Sequence, residues 1–145
     1  MKATYMWLTR LIALTVVLQA AFIAWGTFDI FNAASDGRAF TEDTDYNAGQ
    51  ALHSTFGIMV VPLLALLLLI VSFFARVPRG VIMALVVLGL VVLQIALGLL
   101  SFPAPVLGLL HGVNAFILAG VAGFAGRGAG SAPARTPEPE GAAAA

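Results

Sequence analysis

Four long apolar blocks leave this chain few ways to fold. They run from about Met6 to Phe31, Ala51 to Ala75, Val81 to Leu100 and Val106 to Ala125. A hydrocarbon core of about 30 Å needs roughly 20 apolar residues in a helix, and every block reaches that length. In lipid the backbone must satisfy its own polar groups, which restricts the choice to helices or a closed barrel. None of the blocks alternates apolar with polar residues as a barrel strand does. The expectation is an all-α protein: a four-transmembrane-helix up-down bundle. Composition agrees, since 61% of the 145 residues are hydrophobic and 10% are charged, against about 25% charged in an ordinary soluble domain.

The connections set the direction. Lys2, Arg10, Arg76, Arg79, Arg127 and Arg135 fall on one side of the four blocks, and Arg38 alone falls on the other. Basic residues stay in the cytoplasm, so both termini are expected there, in a bacterial inner membrane. The Ala, Gly and Arg bias is what suggests a GC-rich bacterium. The opposite loop, Asn32 to Gln50, carries Asp36, Glu42, Asp43 and Asp45 and is too short for a domain. Val77-Pro78-Arg79-Gly80 and Phe102-Pro103-Ala104-Pro105 read as tight links, and Pro62 as a kink within the second block. The apolar core of the first block is too long for a cleaved signal peptide. The membrane domain is expected over residues 1–127. Residues 128–145, rich in Gly, Ala, Pro and charge, read as a disordered cytoplasmic tail. A net charge of zero offers no basic face for nucleic acid. The absence of cysteine removes disulfides, thiolate chemistry and c-type haem attachment.

A short pattern occurs twice. Val16-Val17-Leu18-Gln19-Ala20-Ala21 in the first block matches Val91-Val92-Leu93-Gln94-Ile95-Ala96 in the third. Leu52-His53 opens the second block much as Leu110-His111 opens the fourth. Each helical hairpin thus carries Gln on its first helix and Leu-His near the start of its second, as two repeated hairpins would. Apolar helices share short strings by chance, but two polar positions matched in the same order favour a repeat.

His53 and His111 are the only histidines, and an ionisable residue within a span points to function. Both lie about one turn inside the outer end, roughly 5–8 Å below the boundary. In an up-down bundle the second and fourth helices are diagonal. Two imidazoles at one depth across that diagonal suit a haem b iron with two axial ligands. Gly49 and Gly57 share the face of His53. Gly108, Gly112, Ala115 and Ala119 flank His111 in the same manner. Small residues there leave room for a porphyrin plate, or simply let helices pack. Gln19 and Gln94 are mid-span groups expected to face the interior, where they would tune the haem or join helices. Arg38 is a weak candidate for a propionate partner, and Met6 and Met83 are more ordinary as packing residues. Other readings stay open. One is a structural histidine pair bonded to Gln19, Gln94, Ser54 or Asn114; another is metal, quinone or proton chemistry.

Gln50-Ala51-Leu52-His53, with Gln94-Ile95-Ala96-Leu97-Gly98 followed by Leu110-His111, resembles one four-helix half of the heme A synthase family. The resemblance covers roughly Met6 to Arg127. It implies a bis-His haem site on His53 and His111. The family has glutamate and arginine where this chain has Gln50 and Ser54, so haem binding is implied more strongly than synthase catalysis. The expected function is a cytochrome b-like protein for electron transfer or haem handling, with one haem near the outer face. A single haem there does not cross the membrane, which calls for a quinone or a respiratory-complex partner. A homodimer that rebuilds eight helices is a further expectation. The alternative is a cofactor-free accessory or scaffold subunit of a larger membrane complex.

Overall fold

A computed structural model describes residues 1–41 and 43–130. Among these residues all regular structure is helical. Four helices are long and apolar enough to cross a membrane: Lys2–Ser35, Ala48–Ala75, Gly80–Leu100 and Leu107–Gly128, the last continuing as helix to Gly130. They are called the first to fourth spans below. Their outward faces are apolar, with Trp7, Leu14, Val17, Phe73, Val92 and Phe116 among many exposed large side chains. Such faces are compatible with a lipid environment.

The ends differ from the sequence expectation for local reasons. The first span runs 34 residues, about 51 Å at 1.5 Å per residue, and so exceeds the hydrocarbon core at its ends. What stops it is Gly37, at φ 84. Its N–H bonds Ala34 O at 3.0 Å and the Arg38 N–H bonds Ala33 O at 3.0 Å. That paired closure needs a left-handed residue, which glycine adopts without a Cβ penalty. The second span begins at Ala48 because Asn47 and Gln50 cap each other reciprocally. Gln50 N–H donates to Asn47 Oδ1 at 3.0 Å, and Asn47 N–H donates to Gln50 Oε1 at 3.1 Å. The fourth span begins at Leu107 and continues past residue 127 through Gly130, so the helix passes the expected domain boundary. The rest of the tail lies outside the described residues.

Pro62 leaves a distinct mark. Immediately before it, Phe56–Val60 forms a π turn. The Val61 N–H reaches back five residues to Phe56 O. Proline has no N–H to give, and the wider turn is one way a helix absorbs that loss.

Contacts run first to second, second to third, third to fourth and fourth to first. Nearly all the closely packed side chains lie at one end. Tyr5, Ile12, Leu68, Val87, Val91 and Leu118 are fully buried there. Tyr5 Oη donates to Gly80 O at 3.1 Å, and Gly126 lies directly against the Thr9 hydroxyl. We call this the basic end, because Lys2, Arg10, Arg76, Arg79 and Arg127 cluster near it in sequence. The two arginines of its short turn adopt φ 51 and φ 56, unusual for non-glycine residues. The opposite, histidine end is looser. Its buried positions include Gly26, Gly49 and two amides, Gln19 and Asn114.

Candidate functional site

The site is built from two Gln–His couples. In the first, His53 Nδ1 lies 3.0 Å from Gln19 O. In the second, His111 Nδ1 lies 3.0 Å from Gln94 O. A backbone carbonyl can only accept, so both Nδ1 atoms carry a proton. The neutral ring then leaves Nε2 as a lone pair. Metal-bound histidines are commonly held this way, with the second nitrogen donating to a carbonyl. The two rings meet edge-on, with centroids 6.1 Å apart and planes at 64°. Two imidazoles sharing one metal through Nε2 place their centres at about 6 Å, from metal–nitrogen bonds of about 2.0 Å plus half of each ring.

Around the second couple the hydrogen bonds interlock. Asn114 Nδ2 donates to Leu90 O at 3.0 Å and to Gln94 Oε1 at 2.6 Å. Gln94 Nε2 donates to His111 O at 3.0 Å and meets His111 Nε2 at 3.2 Å. The two carbonyls, Leu90 O and His111 O, fix which way both amides point. A flipped Gln94 would set oxygen against oxygen. His111 Nε2 therefore accepts from Gln94. Gly98, one turn along the third span, completes the seat: a Cβ there would come within 3.2 Å of His111 Nδ1 and Cε1.

The first couple lacks those reinforcements. Gln19 is 8% exposed, yet neither Nε2 nor Oε1 has a partner among the described residues. Asn114 Oδ1 is the other buried polar atom in that condition. Gln19 faces Gly57, where a Cβ would lie 3.7 Å from Oε1 and 3.8 Å from Nε2. The position matching Asn114 holds Phe56, whose ring meets Phe22 edge-on at 5.5 Å.

The glycines divide. A Cβ at Gly49 would run into the backbone at Gly26 N and Phe22 O. Gly49 therefore serves close contact of the first and second spans, and makes no room beside His53. Asn47 reinforces that seam by donating to Gly26 O at 2.8 Å. Gly57 opens toward Gln19, and a Cβ at Gly112 would meet nothing within 4 Å. Arg38 lies 5.9 Å from the Phe40 ring centre. It lines a cleft of about 460 Å³ at the histidine end with Asp29, Asp45, Tyr46, Asn47 and Gln50. Sequence reasoning missed Gly26 and the Asn47–Gln50 cap, and it gave Gly98 only as part of a matched string, without a role. The cap had a visible signal in its Asn-x-x-Gln spacing; Gly26 had none.

Among the described residues no three His, Cys, Asp or Glu side chains cluster as for a metal held by protein alone. Compared with family models, with curated proteins and with solved structures, the chain matches none.

Proposed function

We propose that this chain is an integral membrane haem b protein, an up-down bundle of two repeated hairpins, with His53 and His111 as the axial pair. The observation that carries the reading is the matched pair of couples. Each imidazole is anchored through Nδ1 to a glutamine carbonyl, and the two rings stand 6.1 Å apart. A second feature supports it. Both histidines, Gln94 and Gly98 stay partly accessible at the looser end of the bundle, as residues around a prosthetic group do before it covers them.

A bis-imidazole haem supplies one-electron chemistry with no open coordination position. The chain's own residues supply the rest. Gln19 O and Gln94 O hold each ring through Nδ1 and fix its tautomer, leaving Nε2 unprotonated. Gly98 lets the His111 ring lie flat against the third span. Gln94 gives up its contact with His111 Nε2 when that atom is needed. By the distribution of Lys and Arg, the histidine end faces outward across a bacterial inner membrane, where a quinone or a respiratory-complex partner would exchange electrons with it.

The test is an absorption spectrum of the detergent-purified protein from haem-replete cells, oxidised and then reduced with dithionite. A sharp low-spin haem b spectrum is expected, turning high-spin or vanishing in His53→Ala and in His111→Ala. A colourless protein sinks the reading. A second reading, a cofactor-free scaffold subunit, draws on one observation: the Gln94–His111–Asn114 network satisfies His111 without any ligand. It predicts the colourless result.

A further inference from the structure

The two couples share a design but not a degree of completion, and the difference lies one turn below His53. The Gln19 amide is nine-tenths buried in the membrane core and offers one unused acceptor and an unused donor group. Opposite it stands Gly57, inside the π turn. The Gly57 carbonyl has also lost its usual helical donors. Its partner four residues on, Val61, gives its N–H to Phe56 O instead, and the residue after that is Pro62, which has none. Irregular backbone at membrane depth is tolerated only where protein buries it or water reaches it. The unpartnered Gln19 Nε2 and Oε1 thus face the backbone of Gly57 across a gap that would hold a Cβ at ordinary contact distance.

We propose that this space is an internal water site, with one water accepting from Gln19 Nε2 and donating to Gln19 Oε1 and the Gly57 carbonyl. Buried waters typically make about three such bonds to otherwise unsatisfied groups. Water has the donor and acceptor numbers the three atoms call for; a cation would be repelled by the amide N–H, and an anion by two carbonyl oxygens. The site hydrates the first couple, whose glutamine amide has no protein partner, and it stands whether or not iron lies between the histidines.

The test is water-to-amide cross-relaxation by NMR on the full chain in lipid nanodiscs, kept reduced. The Gln19 side-chain amide should show a cross-peak to long-lived water. Gly57→Ala puts a methyl at ordinary contact distance from the Gln19 amide and should abolish the Gln19 cross-peak. If that variant does not fold, Gly57→Ser should: its hydroxyl replaces the water and removes the same signal. No water contact at Gln19 in the natural sequence overturns the proposal, as does a cross-peak that survives unchanged in either folded variant.

Discussion

The basic end and the histidine end of this bundle are built from the same apolar alphabet but solve different problems. At the basic end Ile12, Leu68, Val87 and Leu118 are fully buried, and Tyr5 ties the first span to Gly80. At the histidine end the first and second spans close on each other at the Gly26–Gly49 seam, and polar side chains take the interior. Lipid supplies no hydrophobic drive between helices, so packing and hydrogen bonds must hold the bundle. One end relies on packing, while the other keeps its interior for imidazoles and amides. A membrane bundle can thus confine its rigidity to one half and leave the other available for chemistry.

That contrast can be broken most directly in the core. Leu68→Ala, at a fully buried position, should cost about 2–5 kcal/mol through cavity formation. Leu97→Ala, half-buried beside the histidines, should cost much less. Equal losses in detergent unfolding would mean that the two ends are packed alike.

The seam comes next. Gly49→Ala drives a methyl into the backbone at Gly26 and Phe22, and overpacking of this kind costs about 1–3 kcal/mol. Gly112→Ala meets open space and should be neutral or gain up to about 1 kcal/mol from helix propensity. Thermal unfolding of the pair checks the ranking, and a tolerated Gly49→Ala would show that the seam has slack.

The couples themselves differ by a smaller amount. Gln94→Leu strips His111, Asn114 and a backbone carbonyl of partners at once. It should cost roughly 1–3 kcal/mol, the usual penalty for orphaning buried polar groups. Gln19→Leu removes an amide with no protein partner and should shift stability by about 0.5 kcal/mol or less, within the range of ordinary substitutions. Chemical denaturation of both variants decides it; a larger loss at Gln19 would reverse the comparison.

A single bond is at stake in Tyr5→Phe, which deletes the donation to Gly80 O. About 0.5–1.5 kcal/mol is expected, read as a lowered midpoint with no change at the histidine end. A change in the histidine environment in that variant would mean the two ends are mechanically coupled.

Much of this was legible in the residues. The four spans follow from block length and the impossibility of bare backbone in lipid, and the chain folds into four such helices. Gln19, His53, Gln94 and His111 were visible as paired polar positions because so few polar residues enter the spans. Their contacts were not. Neither the glutamine carbonyls as the histidine anchors nor the 6.1 Å between the rings can be read from spacing, since both depend on how helices far apart in sequence rotate against each other. Gly49 shows the limit well. Spacing put it on the face of His53, but the chain brings Gly26 against it, and backbone contact between spans has no one-dimensional signature.

Sequence by itself determined the class of structure, the number of spans and the scarce groups able to carry chemistry, because burial in lipid is a constraint on each segment alone. Tertiary structure decided which end is packed, which glutamine is satisfied and which glycine closes a seam. Those are properties of pairs: a hydrogen bond or a van der Waals contact exists only when two surfaces meet, and no single helix contains that information.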